Sequence, residues 1–283
     1  MTTRTVSQIT EATNERVGPF KIKNVLPVRT LKQVDPFLLI HHMQPYLVKA
    51  GDDLRIPPHP HAGFEVVTYL LDGEFFHRDS KGHDQVARGG DINWMTSGSG
   101  VIHSEGPTPA FLKQGGNVEL LQVWINLPAE KKTLPATFHH YAGNALPVVK
   151  TNNTTVKVLI GSYDNQVSPV TTHTKMFWYH VQIKAGEIFT VPVNAAFSSA
   201  VYLLKGELKI LNETVKAGQL ADMDINGDQL VFTSVQDSSL IVFGGQPLKE
   251  KVVSYGPFVM NSMEEVQQAI QDYEEGKMGV LEN

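Results

Sequence analysis

One segment of this chain occurs twice. Residues 68–74 read TYLLDGE and residues 200–207 read AVYLLKGE, aligning Tyr69 with Tyr202 and Gly73 with Gly206 at an offset of 133 residues. A repeat of that period in 283 residues implies two similar β-domains, each the size of one small β-barrel. The polar, turn-rich stretch between Leu127 and Asn153, which contains LPAEKK, AGNALP and KTNNTT, is where one domain should give way to the next. We therefore expect an N-terminal domain over residues 1–135 and a C-terminal domain over residues 136–283.

The local pattern agrees with an all-β fold. Short β-branched and aromatic runs recur between Gly, Pro, Asn and Asp, at residues 65–71, 118–125, 156–160, 176–183, 200–204 and 240–243. Eleven of the 23 glycines fall between Gly51 and Gly116, so tight turns and bulges should concentrate in the first half. One helix is expected at the end of the chain. Ser262 and Glu265 form a capping box, Val266, Ala269, Ile270 and Tyr273 make an apolar stripe, and Gly276 can stop the helix. That stripe must dock on a β-domain.

Composition narrows the chemistry. The chain has no cysteine, which removes disulfides, thiolate metal sites and cysteine nucleophiles, so any metal must rest on His, Asp or Glu. A net charge of −5 supplies no overall positive field for phosphate backbones, and direct nucleic-acid binding is not expected. The first residues lack the apolar centre of a signal peptide. No segment approaches the run of about 18 apolar residues that a membrane span requires, so a cytoplasmic location without membrane contact is expected.

Histidine is concentrated around the first repeat. His59 and His61 lie in PPHPHAGFEVVTYLLDGE, with His77 and His83 just beyond the Asp72-Gly73 turn. Residues two apart on an extended segment point to the same side, so His59 and His61 can present both imidazoles to one cavity. A second pair with the same spacing, His103 and Glu105 in SGSGVIHSEGP, follows 42 residues after His61. If it faces the first pair, three imidazoles and a carboxylate form a donor set for a divalent first-row metal such as iron, copper, manganese, nickel or zinc, with positions left open. The second repeat is an internal control. It carries Pro192 and Asn194 where the first has His59 and His61, and INGDQLVF where the first has His103, so only the N-terminal domain should hold metal. His173 and His180 are expected in ordinary structural or surface roles.

The segments HPHAGFEVVTYLLDGEFFHRDS, GGDINWMTSGSGVIHSEGP, DPFLLIHHM and YGPFVMNSMEEVQQAIQDYEEG resemble pirins, the two-domain members of the cupin superfamily, over nearly the whole chain. The resemblance implies two antiparallel, jelly-roll-like cupin β-barrels with a C-terminal helix. It implies metal ligation by His59, His61, His103 and Glu105, with Fe(II) as the usual ion and Mn, Cu, Ni or Zn as other occupants. In several members it also implies quercetin 2,3-dioxygenase activity, in which a flavonol ring opens with loss of carbon monoxide. Glu105 would then serve as catalytic base for the substrate hydroxyl. Glu65, the carboxylate of the general cupin pattern, is expected behind the ligands or on a solvated strand face, and His77 as a donor supporting a ligand or an exposed residue beside the turn. Phe64, Phe75, Phe76, Trp94 and Met95 are expected mainly in the core. Where family members commonly carry an acidic residue this chain has His41 and His42, which either line the cavity mouth or, the reading favoured, face water. The resemblance further implies, for some pirins, redox-dependent regulation of a protein partner. A zinc cupin acting in sugar isomerisation would use similar ligands.

Overall fold

The two copies of the repeat occupy equivalent strands of two β-structures built to one plan. In the computed structural model, which describes residues 1–52 and 54–282, the chain divides into two units. One comprises residues 14–23, 39–144 and 249–283, the other residues 1–13, 24–38 and 145–248. Among the described residues each unit has one seven-stranded and one four-stranded antiparallel sheet.

In the first unit the large sheet runs Thr137–Tyr141, Ile92–Thr96, Phe64–Asp72, Gly116–Asn126, Phe37–Val48, Phe20–Leu26, Thr13–Val17. Its small sheet runs Ile56–His61, Val101–Gly106, Glu74–Asp79, Asp84–Arg88. The second unit repeats this strand for strand. Its large sheet is Val6–Glu11, Gln219–Met223, Ser198–Lys205, Ser238–Gly245, Met176–Ile183, Thr154–Ile160, Val148–Lys150, and its small sheet is Ile188–Pro192, Gln229–Ser234, Glu207–Ile210, Glu213–Lys216. All six strands expected from the apolar runs are present.

Burial explains the sequence pattern. The first seven residues of Phe64–Asp72 are all buried, as in a strand covered on both faces, whereas Ile188–Pro192 alternates between exposed and buried positions. In the first unit Leu70, Val118 and Leu120 of the large sheet pack against Phe75 and Ala87 of the small one. Val201, Leu203 and Val242 meet Leu208, Val215 and Leu230 in the second. Each such side chain contributes roughly 1.5–3 kcal/mol on burial. The repeated glycine has a backbone cause. Gly73 and Gly206 sit at φ +87° and +98°, where a Cβ would run into the Asn117 carbonyl or the Ser238 side chain respectively.

The C-terminal helix is Met263–Glu274, with Ser262 and Glu265 closing the capping box, a contact worth about 1 kcal/mol. Val266 and Ala269 are buried and Ile270 packs beside them, against Ala62, Phe258, Met260 and Met278. Tyr273 departs from the expected stripe and is 39% exposed, because the apolar contact ends one turn earlier.

The units do not follow a single cut at residue 135. Val6–Glu11 pairs antiparallel with Gln219–Met223 and completes the edge of the second large sheet. Just before it, buried Arg4 donates from Nη1 to the Phe197 carbonyl at 2.7 Å, from Nη2 to Asn194 O and from Nε to Gly227 O, both at 2.9 Å. Residues 249–283 return to the first unit, where Phe258 bridges Ala62. No helix among the described residues is long and apolar enough to cross a membrane.

Candidate metal centre

Two neighbouring strands of the small sheet bring the histidines together. Ile56–His61 pairs antiparallel with Val101–Gly106, with His103 opposite His59 and Val101 opposite His61. Directly opposed residues share a face, and His61 shares it with His59, so the three imidazoles converge. Their ring centroids are 4.3 Å apart for His59–His103, 4.9 Å for His59–His61 and 5.0 Å for His61–His103. One ring nitrogen from each lies within 4.8 Å of the others, a set that could hold a metal ion. A register shift between His103 and Glu105 places Glu105 opposite Ile56. Glu105 lines the cavity beside His59 and His61, while the compact nitrogen set consists of the three histidines.

The hydrogen bonds leave one nitrogen of each ring free to serve as donor atom. His59 Nδ1 lies 2.8 Å from the Pro57 carbonyl and His61 Nδ1 3.4 Å from Pro257 O, so both Nδ1–H groups are donated to backbone. His103 Nδ1 lies 3.4 Å from His77 Nδ1, and His103 Nε2 is buried with no hydrogen-bond partner. A buried ring nitrogen that no protein group satisfies is a candidate ligand atom. Burial keeps the rings neutral, as ligation requires. It pushes His61 down to about 3, helped by the neighbouring His59, lowers His59, and lowers His103 well below its ordinary value.

Glu105 is 6% exposed, and burial raises its carboxyl to about 7 against the opposing hydrogen bond from Gln122. Thr68 Oγ1 donates to Gln122 Oε1 at 3.2 Å, which turns the Gln122 amide nitrogen toward Glu105 as donor. The cavity holds about 250 Å³, and its apolar wall includes Phe20, Ile22, Leu39, Met43, Leu120 and Trp124.

Several expectations are corrected here. His41 lines this cavity, on the same strand face as Leu39 and Met43, and burial pushes its pKa down to about 4. His42 points the other way, is 1% exposed, and lies 2.9 Å from Glu119 Oε1. His41 thus takes the cavity-lining place and is half-buried, whereas His42 is buried on the opposite face of the strand Phe37–Val48. Glu65 is not solvated. It is 1% exposed, its Oε1 accepts from Trp94 Nε1 at 2.9 Å and Thr96 Oγ1 at 3.0 Å, and burial raises its carboxyl to about 7. Phe64, Phe75, Phe76, Trp94 and Met95 are all buried and none lines the cavity, in line with core roles. His180 hydrogen bonds with Ser239.

Other contributors escaped the sequence reading. Gln122 and Trp124 continue the inward alternation of Leu120 in VELLQVWI, a pattern legible only once that strand's inward face is known. Asp79 and Phe138 surround His77, with Phe138 stacked on it at 4.2 Å and an interplanar angle of 10°. At the equivalent end of the second unit, Pro192 is paired with Gln229, and no histidine stands at either position.

Comparisons with known proteins agree with this layout. The Pirin family model matches residues 19–125, and the Pirin C-terminal cupin domain matches residues 178–279. A Pseudomonas aeruginosa protein named as a candidate quercetin 2,3-dioxygenase is 34% identical over 262 residues, which is 91% of this chain and 92% of that protein. Human pirin is 30% identical over 97% of this chain and 93% of its own length. Among solved structures, the crystal structure of a quercetin 2,3-dioxygenase from Acinetobacter baumannii superimposes with a TM-score of 0.95 at 28% identity, covering 99% of this chain and all of that one.

Proposed function

The chain belongs to the pirin family, and from that premise we propose that it is a metal-dependent dioxygenase of the quercetin 2,3-dioxygenase type, acting on a flavonol or a similar flat aromatic substrate in its N-terminal cupin barrel. It is a bicupin, all-β, with a C-terminal helix. The observation that carries the reading is the buried, unpartnered His103 Nε2, grouped with His59 and His61, two histidines that line an apolar cavity beside the buried Glu105.

His59, His61 and His103 would hold the ion through neutral imidazole nitrogens, with Glu105 as the fourth, anionic ligand. We assign Fe(II), a choice the family likeness supports. Mn, Cu, Ni and Zn also suit the donor set. A divalent ion held there would supply Lewis-acid chemistry that acidifies a substrate hydroxyl. Glu105 is the base in this reading. On detaching from the ion, a Glu105 carboxylate oxygen would take the proton of the flavonol 3-hydroxyl. Gln122 orients Glu105 through its hydrogen bond. Leu39, Met43 and Leu120 exclude water and offer flat apolar contact to the rings.

The test is anaerobic purification with metal analysis, followed by quercetin and air while flavonol absorbance and carbon monoxide are recorded, with and without chelator. Carbon monoxide released in a chelator-sensitive way is the expected result. Bound iron without flavonol consumption would overturn the dioxygenase reading and favour the redox-dependent regulator.

A further inference from the structure

Behind His103 runs a line of side chains that the catalytic reading does not use. His77, Asp79 and His83 follow one another around the turn after Gly73, and Asp79 lies directly opposite His103 in the antiparallel pair of Glu74–Asp79 with Val101–Gly106. Asp79 Oδ1 accepts the backbone N–H of Lys81 at 2.9 Å and of His83 at 3.1 Å. His83 Nδ1 lies 2.9 Å from Asp79 Oδ2, and His77 Nε2 lies 3.1 Å from the same oxygen. His77 Nδ1 in turn meets His103 Nδ1 at 3.4 Å. His77 and Asp79 are each 4% exposed, and the stacked Phe138 ring fixes the plane of His77.

We propose that Asp79, acting through His77, sets the tautomer of His103 so that its Nε2 presents a lone pair to the metal site. A carboxylate only accepts, so the His77 nitrogen facing it carries the proton. A neutral imidazole has one N–H, which makes His77 Nδ1 the acceptor. His103 Nδ1 must then be the donor, and His103 Nε2 is left bare, buried and unpartnered as observed. Asp79 is thus a positioning residue two hydrogen bonds removed from the ligand atom. The inference deepens the proposed metal site and rests on it for its purpose, though the tautomer itself is a property of the metal-free protein.

Asp79→Asn tests it. The Asn Oδ1 can keep the Lys81 and His83 backbone bonds, which leaves its amide N–H₂ toward His77. Every donor in the line should then reverse, ending with a proton on His103 Nε2. Long-range proton–nitrogen correlation spectra of ¹⁵N-histidine-labelled, metal-free protein read the tautomer directly, and Zn(II) competition against a chromophoric chelator reads affinity. The expected result is Nδ1–H on His103 in the wild type, Nε2–H in Asp79→Asn, and a loss of roughly 10- to 100-fold in Zn(II) affinity. An unchanged His103 tautomer with affinity within twofold of wild type would overturn the proposal. Should Asp79→Asn fail to fold, His77→Phe keeps the stack on Phe138 and removes the acceptor. A mixed His103 tautomer with weakened Zn(II) binding then supports the proposal, and a single Nδ1–H form with full affinity overturns it. A wild type that binds no Zn(II), with the tautomer reversal still seen in Asp79→Asn, would defeat the metal reading and leave the relay standing.

Discussion

His59 and His103 face each other directly across an antiparallel strand pair, with ring centroids 4.3 Å apart. Two imidazoles this close, one buried and one half-buried, disfavour charging both, so the pair is held neutral, and a metal ion held there would bind only the folded arrangement. Metal at about one hundred times its dissociation constant should then stabilise the protein by about 2.7 kcal/mol, a rise of about 5–10 °C in melting temperature. His59→Ala should melt at one temperature with or without metal. An equal metal-induced shift in that variant would refute the ligand assignment.

Glu65 gives a pH dependence separate from the metal. Its carboxyl is raised to about 7 by burial, partly opposed by the Trp94 and Thr96 hydrogen bonds. A group whose folded pKa lies above its unfolded value contributes stability at acid pH that is lost as the pH rises through the folded value. The wild type should therefore lose stability between about pH 4.5 and 7 through this residue, by an amount on the order of 3 kcal/mol or less. Glu65→Gln keeps an acceptor for Trp94 and Thr96 and cannot ionise. Its urea midpoint relative to wild type should climb from pH 4.5 to pH 8.5, and a constant difference would show that Glu65 does not titrate in that window.

His41 lines the cavity as a neutral imidazole, its pKa pushed down to about 4 by burial. It can exchange one hydrogen bond with a substrate oxygen remote from the histidine cluster. Loss of a neutral hydrogen bond costs about 0.5–1.5 kcal/mol. His41→Leu should accordingly raise KM for a flavonol about 3- to 10-fold with kcat and metal content little changed. A collapse of kcat at unchanged KM would mean that His41 takes part in the chemistry itself.

Gly63 sits at φ +88° two residues after the H-P-H motif, and a Cβ there would strike the Val259 carbonyl and the Met260 sulfur. Its carbonyl also accepts from the buried Lys132 Nζ at 2.7 Å, which donates as well to Val259 O. Gly63→Ala should cost roughly 2–4 kcal/mol through backbone strain and the displaced C-terminal hairpin. Equilibrium urea unfolding measures this, and a midpoint equal to wild type would show that the hairpin can move aside freely.

The strongest signals were local and periodic. Tyr69 and Tyr202 announced the repeat, the spacing of His59 and His61 announced a shared face, and the Ser262–Glu265 box announced the helix. What stayed hidden depends on which strands become neighbours. His41 and His42 read alike in the sequence, and only the inward face of Phe37–Val48 sends one to the cavity and the other to Glu119. Asp79 was unremarkable until its strand was found beside that of His103. Local alternation also carries no information about partners, so nothing in VSQITE shows that it pairs with residues more than 200 positions away.

The exchange of terminal segments between the units bears on any attempt to separate the halves of the gene. A fragment of residues 136–283 would lack Val6–Glu11, leaving Gln219–Met223 with one side of its backbone unpaired, and would lose Arg4 from the carbonyls of Asn194, Phe197 and Gly227. A fragment of residues 1–135 would lose the C-terminal hairpin and helix that cover Ala62 beside the H-P-H motif, together with the edge strand Thr137–Tyr141. Each piece would expose a raw sheet edge and tend to aggregate. The repeat is therefore not separable by a cut at residue 135, since each unit is completed by a segment from the far end of the chain.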